Sequence, residues 1–182
     1  IWAFTDREIT QLHDAPLVEI YNFSYNCNSF GAGGEPGMEE IWDRVLSTGQ
    51  PIFGVASDDA HDYTGEFSPK KSNPGTGWIM VKAPALTKQD IVSSLQKGDF
   101  YFTNGVLLKD VRITETEYTV EIDADPQTRY TTTFIGKDGR ILKEAFGPTA
   151  AYSFAGDEMY VRARVFASSG DFACTQPVFM KK

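Results

Sequence analysis

The sequence predicts an α/β domain followed by a small all-β domain. Between residues 1 and 104, short apolar runs alternate with helical patterns, which is typical of strands alternating with helices. From residue 105 to residue 182, apolar and polar residues alternate with a period of two and turn sequences recur. We therefore expect a parallel sheet in domain 1–104 and an antiparallel, Ig-like β-sandwich in domain 105–182.

The first domain carries the patterns of three helices. Thr5 and Glu8 form a capping box, which predicts a helix from Asp6 to His13. A second capping box begins at Thr87 and predicts a helix that ends at Gly98. Apolar residues at helical spacing predict a further helix between these two, and they are Met38, Ile41, Trp42, Val45 and Leu46.

Four short apolar runs predict strands that alternate with these helices. Each run is bounded by polar or turn-forming residues, as buried strands of a sheet are. The runs are Leu17–Tyr21, Ile52–Ala56, Trp78–Val81 and Phe100–Thr103.

The second domain shows no helical period. Turn sequences at Asp123–Gln127, Lys137–Gly139 and Phe154–Glu158 divide it into roughly six or seven short strands. Aromatic residues are expected to fill the core of the sandwich, and they are Phe134, Phe146, Tyr152, Phe166 and Phe179.

A polar cluster follows the strand predicted at Ile52–Ala56. Asp58, Asp59 and His61 come within a few residues of its carboxyl end. Carboxylate oxygens and neutral imidazole are common protein ligands of zinc, manganese and iron, so the Asp-x-His pair Asp59 and His61 is the candidate metal site. The alternative is that these side chains cap the following turn and are solvated. Three acids in one loop beside a buried strand, Asp58, Asp59 and Asp62, favour a bound cation.

Three further residues are candidates for substrate binding, or for support of the metal ligands together with Asp58. Asn22 follows the strand at Leu17–Tyr21, from where it would reach a site at the strand ends, although Asn also commonly opens loops. Lys70 and Lys71 lie in a polar loop, where they would attract an anionic substrate or simply form a solvated surface.

Composition excludes some classes of function. A net charge of −8 and a pI near 4.7 speak against nucleic-acid binding through a basic surface. No apolar stretch reaches the roughly 18 to 20 residues that a membrane-spanning helix needs, so we expect a soluble protein that does not enter the membrane. The chain begins at Ile1 without an initiator methionine, and we expect it to be a fragment. Its compartment is left open, with the bacterial cytoplasm or periplasm as the expected alternatives.

Three stretches together resemble a known family. They are Ile52–His61, Gly77–Ala83 and Gly98–Thr103, and they look like the C-terminal half of a PHP (polymerase and histidinol phosphatase) domain. The resemblance is greatest to the carbaryl hydrolase-like PHP metallohydrolases, which carry a small β-sandwich after the barrel. It implies that domain 1–104 is the C-terminal part of a distorted (β/α)7 barrel with two or three divalent metals at its strand ends.

The resemblance also implies a function. Asp59 and His61 match the late Asp-x-His ligand pair of the family, in which a metal-activated water attacks a phosphate or ester. The other ligands of the family, an early His-x-His pair among them, match nothing in this chain. We therefore expect a divalent-metal-dependent phosphoesterase that acts on a small phosphorylated or ester substrate. A missing N-terminal half of the same protein would complete the site, and the fragment alone would be inactive.

Two other functions remain open at this stage. One is a non-catalytic protein that binds a ligand or glycan and keeps a degenerate barrel. The other is a carboxyl or carbamate ester hydrolase, which would use the same metal ligands.

Overall fold

The computed structural model describes residues 4–12 and 14–180. Within these residues the α-helices are α1 (Asp6–Thr10), α2 (Met38–Leu46) and α3 (Lys88–Lys97). The predicted capping box is confirmed, because the backbone N–H of Glu8 donates to Thr5 Oγ1 while the N–H of Thr5 donates to the Glu8 carboxylate. Helix α1 ends before the predicted end at His13, and His13 itself lies outside the described residues.

The strands occupy much of the remaining chain, and a single 3-10 turn separates two of them. Their bounds are β1 (Leu17–Asn22), β2 (Phe53–Ser57), β3 (Trp78–Val81), β4 (Phe100–Thr103), β5 (Leu108–Ile113), β6 (Glu117–Ile122), β7 (Tyr130–Ile135), β8 (Ile141–Phe146), β9 (Thr149–Ser153), β10 (Tyr160–Ala167), β11 (Phe172–Thr175) and β12 (Val178–Phe179). The 3-10 turn is Lys137–Gly139.

The predicted C-terminal part of a (β/α)7 barrel is wrong. The chain is 35% strand and 15% helix, and within the described residues only β1 and β2 pair in parallel. Strand β3 does not extend that pair. Instead it runs antiparallel to β4, with Trp78 opposite Thr103, and joins a seven-stranded sheet.

The reason lies in the path of α3. The backbone N–H of Lys82, just after β3, donates to the carbonyl of Asp99, just before β4, at 2.8 Å. The Ser94 hydroxyl of α3 donates to the Lys82 carbonyl at 2.9 Å. Gly98 ends α3 in the left-handed conformation, with φ 76°. Helix α3 thus returns the chain to the end of β3 that it left, so β4 has to run antiparallel to β3.

Antiparallel sheets form the second half, as predicted. The larger sheet has the order β3-β4-β11-β10-β7-β8 with β12 on β10, and the smaller has the order β5-β6-β9. Together they form a sandwich-like arrangement. The larger sheet includes β3 and β4 and so extends across the predicted boundary between residues 104 and 105. The division into domains 1–104 and 105–182 stays a prediction.

Strands β4 and β11 of the larger sheet are buried on both faces. On one face, Phe102 and Cys174 pack with α2 and with β1 and β2. On the other face, Tyr101 and Ala173 pack with the smaller sheet. Neighbouring residues of a strand point to opposite faces, so β4 and β11 contribute to two cores at once.

The prediction of the aromatic core was partly wrong. Phe134 is fully buried, but Phe146 is 77% exposed and Phe166 is 47% exposed. In β10, Val165 and Ala167 occupy the buried face, so the alternation along the strand places Phe166 on the other face.

None of the helices in residues 4–12 and 14–180 has both the length and the apolar character that crossing a membrane requires.

Candidate functional site

The carboxyl ends of β1 and β2 bring the predicted site residues together. Asn22 is the last residue of β1 and lies opposite Ser57, the last residue of β2. Because the strands are parallel, the segments that follow them leave from the same edge. Asp59 and His61 lie in the segment after β2, where Asp59 contacts Asn22 and His61 contacts Asp59.

Asp59 lies at the centre of this group. Its Oδ2 accepts a hydrogen bond from Asn22 Nδ2 at 3.2 Å, and its Oδ1 lies 3.3 Å from His61 Nε2. The Asp59 side chain is 43% exposed and that of His61 is 72% exposed. Both predicted metal ligands therefore lie side by side at the surface, in reach of a ligand from solvent.

The backbone of Asp59 has a left-handed conformation, with φ 48°. Only one other non-glycine residue of the described chain has positive φ, Asp138 in the 3-10 turn. This conformation costs an ordinary residue about 1–2 kcal/mol, and Asp tolerates it better than most. The turn at Asp59 thus places its carboxylate between Asn22 and His61 at some cost in backbone energy.

Asn22 links Asp59 to a second carboxylate. Its Nδ2 also donates to Glu19 Oε2 at 3.2 Å, and its Oδ1 accepts from the backbone N–H of Ser24 at 3.0 Å. The side-chain amide therefore has bonds on both ends, which fixes its orientation. Asn22 orients the carboxylates of Glu19 and Asp59 toward each other.

Glu19 is the site residue that the sequence analysis missed. Its Oε1 accepts from the Ser57 hydroxyl at 2.5 Å, and the side chain is exposed. Strict alternation along a strand would put Glu19 and Asn22 on opposite faces. The pairing of β1 with β2 shifts register between Glu19 and Tyr21, and this irregularity allows the two side chains to meet.

Asp58 has a different environment from Asp59. Its Oδ1 accepts from the backbone N–H of Ala60 at 3.2 Å, and its Oδ2 accepts from the N–H of Gly75 at 2.7 Å. Both oxygens thus tie down the loop that carries Asp59 and His61. Asp58 thus holds this loop in place, and its role in supporting metal ligands or binding substrate stays a prediction.

The two lysines lie further along the same loop. Lys71 Nζ donates to the carbonyl of Glu66 at 3.1 Å, and the backbone N–H of Lys70 donates to Ser68 Oγ at 3.3 Å. In the described chain neither forms an ion pair with Asp59. Their role in substrate binding stays a prediction.

The metal-ligand atoms at this site are of types that suit a divalent cation, but they are few. Carboxylate oxygens and an imidazole nitrogen are ligands of zinc, manganese and iron. In the described part of the chain, no group of three or more His, Cys, Asp or Glu side chains is close enough to hold a metal ion. Asp59 and His61 are therefore two neighbouring side chains of ligand type, fewer than a metal site needs.

A buried ionic cluster lies behind β1. Tyr21, which precedes Asn22, donates its hydroxyl to Glu39 Oε1 at 2.6 Å, and Glu39 Oε2 lies 2.9 Å from Arg162 Nη2. Arg162 also bonds to Asp43 and lies over the ring of Trp42, 4.9 Å from its centroid. The cluster joins β1 and α2 to β10 of the larger sheet.

Charge pairing keeps Glu39 and Arg162 ionised. Burial alone would raise the pKa of Glu39, but Arg162 and Arg164 outweigh it and hold that pKa below its ordinary value. Burial opposes the charge of Arg162, yet Asp43 and Glu39 raise its pKa well above the ordinary value. Burial and the neighbouring Glu39 raise the pKa of Tyr21, so its hydroxyl remains a donor. The hydrogen bond from Tyr21 to Glu39 therefore joins β1 to the ion pair of Glu39 and Arg162.

Comparison with protein-family models finds no match for this chain, and comparison with curated proteins finds none.

Proposed function

We propose that the chain provides part of a divalent-metal site in a hydrolase that cleaves phosphate esters. One observation supports this above the others: Asp59 lies within 3.3 Å of both Asn22 and His61 at the shared edge of two parallel strands. Ligands commonly bind at the carboxyl ends of such strands. The left-handed turn at Asp59 is a further sign of a functional position.

Three side chains at this site have atoms that can bind a metal ion, and they would form part of its coordination shell. Asp59 would contribute a carboxylate oxygen and His61 a ring nitrogen, and a small rotation of Glu19 away from Ser57 would add a second carboxylate. Zinc, manganese or iron suits this set. When bound, such an ion supplies an activated water and neutralises charge on the leaving oxygen. Asn22 holds the two carboxylates in place, and Asp58 holds the loop.

Further ligands are needed for catalysis. The two or three metals that the resemblance implies need more ligands than Asp59, His61 and Glu19 would provide, because one catalytic zinc alone takes about three protein ligands. We propose that an N-terminal half of the same polypeptide supplies the others, as the resemblance to the PHP domain implies. The chain by itself would then bind metal weakly and turn over no substrate.

The substrate class is a small ester. A phosphate ester and a carboxyl or carbamate ester would use the same metal ligands, so the metal site alone does not separate them. The phosphate ester is the class that the resemblance favours. The loop of Lys70 and Lys71 adds positive charge near the segment that carries His61, which suits an anionic substrate.

Metal titration tests the proposal on this chain. Isothermal titration calorimetry with Mn²⁺ or Zn²⁺ should show one saturable site, lost in Asp59→Asn and in His61→Gln. Glu66→Gln is the matched control, because Glu66 is an exposed acid of the same loop. Equal binding by the wild type and both site variants would contradict the proposal.

Turnover, measured on a polypeptide that includes the proposed N-terminal half, tests the reaction. Alanine at Asp59 and at His61 should abolish metal-dependent hydrolysis of nitrophenyl phosphate esters. A parallel assay with nitrophenyl acetate separates a phosphoesterase from a carboxyl esterase. Unchanged phosphoesterase activity in both variants would rule out the assigned ligands.

A further inference from the structure

A cavity lies apart from the candidate metal site, and its lining residues fall between Met80 and Val178. It has a volume of about 980 Å³ and lies between α3 with β3 and β4 on one side and β5 with β6 on the other. The segment after β11, including Gln176 and Pro177, also lines it. A volume of this size falls in the range of small-molecule sites, about 300–1,000 Å³.

The walls of this cleft are held together by bonds that cross it. Lys82 Nζ, next to β3, lies 3.1 Å from Asp110 Oδ1 of β5. The backbone N–H of Leu108 donates to the hydroxyl of Tyr101 at 2.9 Å. The Tyr118 hydroxyl donates to Thr175 Oγ1 at 2.6 Å, deep in the protein. The cleft is therefore formed before any ligand enters, which lowers the cost of binding.

The lining combines an apolar surface with hydrogen-bonding groups. Apolar parts of the lining are Leu108, Val111, Ile113, Tyr118, Pro177 and Val178. Tyr101 is only 9% exposed, and its hydroxyl proton has no acceptor among the described residues. Burial raises the pKa of Tyr101, so the hydroxyl keeps this proton. A ligand in the cleft thus meets one buried donor that is still available.

Most charges that line the cleft already have partners. Lys82 pairs with Asp110, Lys109 Nζ lies 2.7 Å from Glu121, and Asp90 accepts from the Thr87 hydroxyl at 2.7 Å. Asp90 thus has a hydrogen bond but no counter-ion among the described residues. The two remaining charged side chains of the lining are Lys97 at the end of α3 and Asp99 just before β4. Across residues 4–12 and 14–180, neither forms an ion pair with another side chain.

We propose that the cleft binds an α-amino acid with an apolar side chain. The remaining lysine and the hydroxyl of Tyr101 suit its carboxylate, Asp99 suits its ammonium group, and the apolar lining suits its side chain. Lys97 supplies one positive charge and Asp99 one negative charge without a side-chain partner among the described residues, and together they complement a zwitterion better than a simple anion or cation. This site is separate from the proposed metal centre, because neither Asp59 nor His61 lines the cleft.

Three probes of matched shape test the proposal by calorimetry on this chain. L-phenylalanine carries both charged groups, phenylpropionate lacks the ammonium, and phenethylamine lacks the carboxylate. Lys97→Met and Tyr101→Phe should weaken L-phenylalanine and phenylpropionate by about threefold to tenfold and leave phenethylamine unchanged. Asp99→Asn should weaken L-phenylalanine and phenethylamine and leave phenylpropionate unchanged.

A matched control and a folding check complete the experiment. Lys88→Met removes an exposed lysine of α3 that does not line the cleft and should leave every affinity unchanged. Lys97 and Asp99 are exposed, so their variants should keep the thermal midpoint of the wild type. They therefore test the proposal even if Tyr101→Phe, which removes the acceptor of the Leu108 N–H, disturbs β5. The proposal is overturned if L-phenylalanine shows no saturable binding, or if Lys97→Met and Asp99→Asn bind all three probes as the wild type does.

Discussion

Arg162 of β10 holds Asp43 of α2 through two hydrogen bonds, from Nε to Oδ1 at 2.8 Å and from Nη2 to Oδ2 at 2.7 Å. Arg162 is 1% exposed, and Tyr160 also donates to Asp43 Oδ1, at 2.8 Å. This paired geometry is the arrangement in which arginine binds a carboxylate most strongly. Helix α2, which lies against β1, is thereby fixed to the larger sheet.

Asp43→Ala should therefore destabilise the chain strongly. Removing one partner leaves the buried Arg162 charge without its main counter-ion, and such a change costs about 3–5 kcal/mol. Urea unfolding at neutral pH measures the loss in free energy of unfolding. Arg44→Ala is the matched control on the same helix, because its exposed pair with Glu40 contributes at most about 1 kcal/mol. Equal losses in the free energy of unfolding would show that the buried pair of Arg162 and Asp43 stabilises the chain no more than the exposed pair does.

Stability should fall at acidic pH partly through Glu39. Its pKa is lower in the folded chain than in the unfolded chain, so ionised Glu39 stabilises the fold above the unfolded value of about 4.3. This contribution is lost as the pH falls through the lower, folded pKa. Urea unfolding at a series of pH values should show a smaller acid-induced decrease for Glu39→Gln than for the wild type. Glu40→Gln, an exposed neighbour, should follow the wild type, and a wild-type slope in Glu39→Gln would contradict the assignment.

The left-handed turn at Asp59 predicts an order of stability between two variants. Glycine adopts positive φ without strain, whereas alanine does not. Asp59→Gly should therefore be more stable than Asp59→Ala by about 1 kcal/mol, as measured by thermal or urea unfolding. Both variants should lose metal binding, since both lack the carboxylate. Equal stability would mean that the backbone at Asp59 is not strained in solution.

Glu19→Gln tests whether the second carboxylate belongs to the metal site. The side chain is exposed, so the fold should be unchanged, while the affinity for Mn²⁺ should drop by about tenfold or more. Ser57→Ala is the control, because it removes only the hydroxyl that bonds to Glu19 Oε1. If Glu19→Gln binds Mn²⁺ as tightly as the wild type, Glu19 has no part in the site.

Features with a local cause could be predicted from the sequence. The capping box at Thr5, the apolar spacing of α2 and the glycine end of α3 all appear in the structure. Strand pairing could not be predicted in the same way. The alternation of strands and helices indicates parallel pairing, but the direction of β4 depends on where α3 returns the chain. That return is fixed by the hydrogen bond from the Lys82 N–H to the Asp99 carbonyl, and no sequence pattern indicates that these two backbone groups meet.

The same holds for the candidate site. Asn22, Asp59 and His61 could be proposed because each follows a predicted strand, and the structure places them next to one another. Glu19 could not, since the period of two assigns it to the face opposite Asn22. The register irregularity that brings them together has no signature in the sequence.

Because β4 and β11 are buried on both faces, few positions allow this chain to be truncated or joined to another protein. Cys174 of β11 lies opposite Phe102 of β4, so a cut between residues 104 and 105 would separate paired strands and open a sheet edge on each piece. Such edges promote aggregation. Variants in which part of the C-terminal half is exchanged or deleted should therefore break the chain in exposed loops and retain β3 and β4 together with β10 and β11.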